Sequence, residues 1–241
     1  MPASPVRLLA PIAVSALAAV ASADTVYQTG GPFGGFFGLW GADVSAMQSV
    51  AVRFVPTATR ELDRIGIWFM SNAGSTYPTV TLELRADSTQ GNVSVPAATV
   101  LESWQFSLVT LGWNPVQHWR DSKLRPILQA GTRYWVVARS SAPNGVNPVW
   151  NFAASGNSFN AFTSSTTPET WQPGGGGAAL CIVVQGDVPT NPADLNGDGS
   201  VGPADLSALL AAWGTPGPGD LSGDGTVGPA DLSALLAAWG T

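Results

Sequence analysis

The sequence predicts a mainly β protein, a jelly-roll-like antiparallel β-sandwich followed by a small all-α domain. Three observations carry this expectation. Across residues 24–186 apolar and polar residues alternate with period two, and no helix-period segment of useful length interrupts them. Turn-forming clusters punctuate the alternation, as in SNAGST at 71–76 and SAPNG at 141–145. Finally, residues 197–215 and 223–241 are one segment written twice, differing only at Ser200 and Thr226.

Taken in chain order, the first element is a secretory signal over residues 1–23. Arg7 supplies a basic start, Leu8–Val20 is mostly apolar, and Ala21-Ser22-Ala23 is an A-x-A cleavage site. The apolar run is shorter than the roughly 20 residues a bilayer span needs, and Pro11 interrupts it. A secreted, extracellular or cell-surface protein beginning at Asp24, with no transmembrane segment, is therefore expected. Half-buried strands follow at Ser49–Val55, Leu62–Met70, around Val80, Leu82 and Leu84, then at Trp104–Leu108, Arg133–Arg139, Val149–Ala153 and Leu180–Gln185. A Pro-containing linker at 187–193 separates this body from the duplicated tail at 194–241, whose repeats span 194–215 and 220–241.

Composition narrows the function. Only 11% of residues are charged and 45% are hydrophobic, and Cys181 is the single cysteine, so no intrachain disulfide can form. The body must be stable through core burial alone, which a chain of this length can supply. All ten Lys and Arg lie at or before Arg139, whereas the stretch from Asp187 onward carries seven Asp and no basic residue. Such a tail repels itself unless a cation neutralises it. No basic patch exists to attract nucleic acid.

The tail has the spacing of a calcium loop, twice. Loop positions 1, 3, 5, 7 and 12 are Asp194, Asn196, Asp198, Ser200 and Asp205 in the first copy. In the second they are Asp220, Ser222, Asp224, Thr226 and Asp231. Calcium is a hard ion taking six to eight oxygens, and alternate residues of a tight loop direct their oxygens at one centre. Gly202 and Gly228 occupy position 9, and Gly199 and Gly225 at position 6 permit the sharp turn. Val201 and Val227 at position 8 are apolar, as pairing of the two loops side by side requires. A helix follows each loop: Pro203 and Pro229 suit its first turn, and Leu206, Leu209, Leu210 and Trp213 recur on one face until Gly214. The segments before Asp194 and Asp220, GDVPTNPA and GTPGPG, exclude the entering helix of a full EF-hand.

A loop with only its exiting helix, present twice and ending in Asp-Leu, resembles the type I dockerin family over about a fifth of the chain. The resemblance implies two bound calcium ions and docking onto a cohesin-like protein receptor. Recognition positions 10 and 11, which in that family tend to carry Ser or Thr, are here Pro203-Ala204 and Pro229-Ala230, and the helices lack Lys and Arg. The family's association favours polysaccharide breakdown as the setting. The body is similar, in rhythm more than in motif, to bacterial surface β-sandwiches of the kind found beside various C-terminal anchors. QSVAVRFVP (48–56), AGTRYWVVARSS (130–141) and AALCIVVQG (178–186) carry that likeness, which implies a fold and no activity.

No catalytic constellation emerges from the body. His118 is the only histidine, no G-x-S-x-G motif is present, and Gly174–Gly177 lacks the Lys-Ser/Thr of a phosphate cradle. Glu61, Asp63, Glu83, Glu102, Asp121 and Glu169 are the carboxylates from which a glycosidase pair would come, and most sit in strand rhythm as solvent-facing residues. Eight of ten tryptophans lie in the body, and exposed indoles can stack on sugar rings. Trp113 and Trp171, beside Asn or Pro in expected loops, are the better ligand-binding candidates. The expectation is thus a secreted calcium-binding protein whose tail tethers a non-catalytic sandwich that binds glycan, extracellular polysaccharide included, or protein. The alternative is a dockerin-bearing polysaccharide-degrading enzyme.

Overall fold

The computed structural model describes residues 23–32, 41–71, 78–108, 112–156, 159–166, 169–173, 179–189, 191–196, 198–217 and 219–241. The expected signal segment before Ala23, Trp40 and the Gly174–Gly177 run lie outside these residues.

Strands dominate, and they form two antiparallel sheets in a sandwich-like arrangement. The first contains β1 (Asp24–Gln28), β2 (Gly41–Asp43), β4 (Arg60–Ser71), β7 (Val116–Asp121), β8 (Ile127–Leu128), β10 (Pro148–Asn151) and β13 (Ile182–Asp187). β4 is its spine: β13 and β10 lie end to end along one edge, and β8 and β7 along the other. The second sheet runs β12 (Glu169–Pro173), β11 (Phe159–Thr166), β3 (Val50–Phe54), β9 (Tyr134–Arg139), β5 (Thr79–Gln90) and β6 (Val93–Ser107).

Alternation explains how the two sheets face each other. Ile65, Ile67 and Phe69 of β4, with Ile182 and Val184 of β13, meet Val50, Val52 and Phe54 of β3, Val80, Leu82 and Leu84 of β5, and Val136 and Ala138 of β9 in one core. Trp104 and Trp150 join it without leaving their indole N–H groups unpaired. Trp104 donates to the Asp121 carbonyl at 2.8 Å and Trp150 to the Cys181 carbonyl at 2.9 Å.

The second sheet is also buried on its outer face, because it curls until its two edge strands, β12 and β6, touch. Ala51, Val95, Trp135, Val137, Ala161 and Trp171 form a second apolar cluster inside the curl. Beside it, Arg85 bridges the curl. Its Nε donates to Glu83 at 2.7 Å and its Nη1 to Glu169 of β12 at 2.7 Å, with only 4% of its side chain exposed. Burial pulls the Arg85 guanidinium down, but its hydrogen bonds and ion pairs with Glu169 and Glu83 outweigh this and hold it above its ordinary value. At the far end of the hairpin β5–β6 the register shifts around Arg85 and Asp87, where Pro96, lacking an N–H, stands opposite.

After β13 the chain enters the repeats. Asp187 still belongs to the sandwich, where Arg125 reaches it at 2.7 Å, while Ala193 is already buried in the tail. Two helices follow, α1 (Pro203–Ala211) and α2 (Pro229–Ala237). Among the described residues no helix is long and apolar enough to cross a membrane.

Candidate metal centre

Each helix is preceded by a loop that folds around its own first aspartate. In the second copy Asp220 Oδ1 accepts from the backbone N–H of Gly223 (2.9 Å) and Asp224 (3.1 Å), and its Oδ2 accepts from Gly225 (2.9 Å). In the first, Asp194 Oδ1 accepts from Asp198 (3.2 Å) and Oδ2 from Gly199 (2.8 Å). A chain that turns back this tightly needs a left-handed residue. Gly199 and Gly225 supply it, with φ of 90° and 97°.

The last loop residue closes the ring from the helix side. Asp205 accepts from Asn196 N (3.0 Å) and Gly202 N (2.7 Å), and Asp231 from Ser222 N (2.7 Å) and Gly228 N (2.6 Å). One carboxylate thus ties loop position 3 to the helix N-terminus, whose positive dipole end favours it. Both side chains are fully buried. The Gly202 hydrogen bond leads those that hold the Asp205 carboxyl below the usual carboxylate range, against burial, and the Ser222 bond leads for Asp231. Both are therefore anions at neutral pH.

In the second loop the fold brings Asp220, Asp224 and Asp231 together, one oxygen from each within 4.8 Å of the others. This all-oxygen donor set fits a hard divalent cation. Ser222 stands beside it, its hydroxyl 3.5 Å from Asp220 Oδ1, and Thr226 N bonds Asp224 Oδ1 at 3.0 Å. The first loop is arranged differently at position 3. Asn196 Nδ2 donates to Asp198 Oδ2 at 2.8 Å, and Ser200 N bonds Asp198 Oδ1 at 3.0 Å, so that carboxylate already has a partner on each oxygen.

The two copies interlock. Val201 and Val227 both lie in the small core with Ala193, Leu209 and Leu235, but their backbones pair with the chain leaving the other copy's helix. Val201 N bonds Thr241 O and Gly240 N bonds Val201 O, at 3.0 and 2.9 Å. Val227 N bonds Thr215 O and Gly214 N bonds Val227 O at the same two distances. The expected loop-to-loop pairing is thus replaced by a reciprocal loop-to-helix-end pairing.

The helix faces also differ from the sequence pattern. Of the helix leucines only Leu209 and Leu235 are fully buried, while Leu206 and Leu232 pack at the edge of the core. Leu210 and Trp213 are 52% and 43% exposed, and Leu236 and Trp239 repeat this. Pro203, Ala204, Pro229 and Ala230 are exposed too, and Pro203, Ser207 and Leu210 share one side of α1. An exposed apolar stripe on each helix was legible as hydrophobic in sequence, but period alone assigned it inward.

The sandwich candidates separate. Trp113 is 57% exposed, whereas Trp171 lies in β12, 4% exposed, inside the curl of the second sheet, because Glu169–Pro173 pairs with β11 instead of forming a loop. His118 faces inward between Phe69 and Phe106. Burial, aided by Arg120, pushes it down to about 4, so it is a neutral, half-buried residue at physiological pH. Of the body carboxylates, Glu61 and Asp63 bind Arg125, and Glu83 and Glu169 bind Arg85 and Arg139. Buried Glu102 accepts from the N–H of Lys123 and of Leu124.

Compared with known families and with curated proteins, the chain matches no family model and no curated protein.

Proposed function

We propose that this is a secreted tethering protein, in which a calcium-stabilised dockerin-type tail attaches a non-catalytic sandwich to a cohesin-like receptor. The convergence of Asp220, Asp224 and Asp231 on one point is the observation that carries this reading. Asp220, Ser222, Asp224 and Asp231, with the Thr226 carbonyl, would hold one calcium, and Asp194, Asn196, Asp198, Ser200 and Asp205 the other. In the first loop, Asn196 would release Asp198 as the ion arrives. Bound calcium supplies positive charge that relieves the repulsion among these carboxylates, and loop closure is thereby linked to folding.

Docking falls to the helices. The Pro-Ala pairs and the Leu210–Trp213 and Leu236–Trp239 stripes are exposed, carry no charge, and occur twice at equivalent positions. A receptor surface that is apolar at its centre would fit either copy. The engagement of Glu61, Glu83, Glu102 and Glu169 in structural ion pairs and hydrogen bonds supports a binding role for the sandwich over hydrolysis. A calcium-dependent pull-down with the full-length protein as bait, followed by identification of the captured protein, tests the reading. A partner released by chelator, and lost on Leu210→Ser with Leu236→Ser, is expected. Capture unchanged by chelator would refute it.

A further inference from the structure

The curl of the second sheet is closed at one end by Trp135 and Trp171 and open at the other. There a cleft of about 580 Å³ is lined by Thr79, Thr81, Glu83, Gln105, Arg139 and Ser140, among others. That volume lies within the roughly 300–1,000 Å³ of small-ligand sites. We propose that this cleft binds a neutral, hydroxyl-rich ligand, a segment of a glycan chain. The inference rests on reading the sandwich as the ligand-carrying part of the protein.

Charge decides the class first. The cleft region contains two arginines and two glutamates that neutralise one another: Arg85 with Glu83 and Glu169, and Arg139 with Glu169 at 2.8 Å and Glu83 at 3.9 Å. In the lining itself Glu83 and Arg139 balance each other, so neither an anionic nor a cationic ligand gains a net field. Buried ion pairs of this kind contribute little stability over an apolar packing. They do fix the positions of donors and acceptors, as a site for a polar ligand requires.

Hydrogen-bonding capacity decides it next. On the sheet, Thr81 stands directly between Gln105 of β6 and Arg139 of β9, with Glu83 one step along the same face. The three-residue row spans roughly 10 Å, two strand spacings. It offers a hydroxyl, an amide and a guanidinium side by side. Thr81 and Gln105 make no side-chain hydrogen bond among the described residues, and Arg139 reaches Glu169 and Glu83 through Nη1. Sugar hydroxyls both donate and accept, so neighbouring diols match this alternation of donors and acceptors. Among the described residues Ala46 is the single apolar side chain in the lining, so the directional contacts on offer are mostly polar. At the mouth, Ser140 Oγ donates to the Thr79 carbonyl at 2.8 Å and keeps the floor in shape.

The test uses the full-length protein, with a glycan array followed by calorimetric titration of cellohexaose, xylohexaose, mannohexaose and hexagalacturonate, each with calcium and with chelator. Binding of at least one neutral oligosaccharide is expected, equal in the two buffers. That equality separates the cleft from the tail, because failure of the calcium reading leaves it untouched. Gln105→Ala should weaken binding by about tenfold, the worth of one or two hydrogen bonds. Thr81→Trp, which fills the floor from an outward-facing position, should abolish it. Unchanged circular dichroism and melting temperature establish that these variants fold. The proposal is overturned if no neutral oligosaccharide binds, if only hexagalacturonate binds, or if Thr81→Trp and Gln105→Ala bind like the parent. It is equally overturned if Trp113→Ala removes binding and Thr81→Trp does not.

Discussion

His118 shows how much of this protein is decided by what a single side chain faces. It lies on the inner side of β7 between Phe69 and Phe106, and Nε2 has no hydrogen-bond partner among the described residues. Folded, it takes a proton only near pH 4; unfolded, it does so near 6.5. Between those values the unfolded chain binds more protons, so stability falls as pH drops through that window and is restored above it. His118→Leu should flatten this dependence. Urea midpoints measured from pH 7 to pH 5 should fall for the parent relative to the variant, and parallel curves would count against the assignment. The same scale explains Gly186, where an added Cβ would sit 2.7 Å from the Glu61 carbonyl of the neighbouring strand. Backbone cannot yield as a side chain can, so Gly186→Ala should cost about 1–3 kcal/mol by denaturant unfolding.

At the scale of elements, the hairpin β5–β6 depends on one carboxylate. Asp87 Oδ1 accepts from the indole N–H of Trp135 at 2.7 Å and from the Ser94 hydroxyl. Trp135 is fully buried, so Asp87→Ala strands its N–H in the second cluster. A loss of about 1–3 kcal/mol is expected, against a much smaller loss for Asp87→Asn, whose amide oxygen still accepts. The sequence showed the strands whose pattern is strict: β3, β4, β5, β9 and β13 lie where alternation placed them, within a few residues. It did not show β7, because His118 and Arg120 face inward and break the polar-out rhythm. It did not show β11 and β12, where Asn, Ser, Thr and a Pro mimic a loop, nor the first half of β6, where Pro96 argues against a strand. β11, β12 and the first half of β6 are the segments that build the curl, so the burial of Trp171 and the existence of the cleft were invisible as well. The loop residues of the tail were legible because ligand spacing is local. The exposure of Leu210 and Trp213 was not, since it depends on how little surface the partner helix covers.

The whole molecule has two cores, one on each side of the stretch between Asp187 and Ala193, stabilised by different means. The sandwich relies on apolar burial on both faces of its second sheet, whereas among the described residues the tail has five buried apolar residues and a concentration of aspartates. Unfolding should therefore be biphasic in chelator and approach a single step in millimolar calcium. Far-ultraviolet circular dichroism should lose the helical signal first on chelation, with the β signal unchanged; a common transition in both buffers would contradict this. Acid acts on the tail in a defined sense. Asp205 and Asp231 hold their protons more weakly folded than unfolded, so their contribution is complete above the ordinary aspartate value and is lost as pH falls below it.

The reciprocal pairing of the two copies makes the tail a clasp in which each half is fastened by the other's trailing end. Gly240 and Thr241 seal Val201, and Asn191 Nδ2 grips Thr241 Oγ1 at 2.9 Å. Trimming those two residues would loosen the loop of the first repeat while leaving the second loop, sewn to Gly214 and Thr215, in place. Neither half can be removed, transplanted or tuned without rewriting the other, so the duplication acts as one mechanical unit instead of a spare.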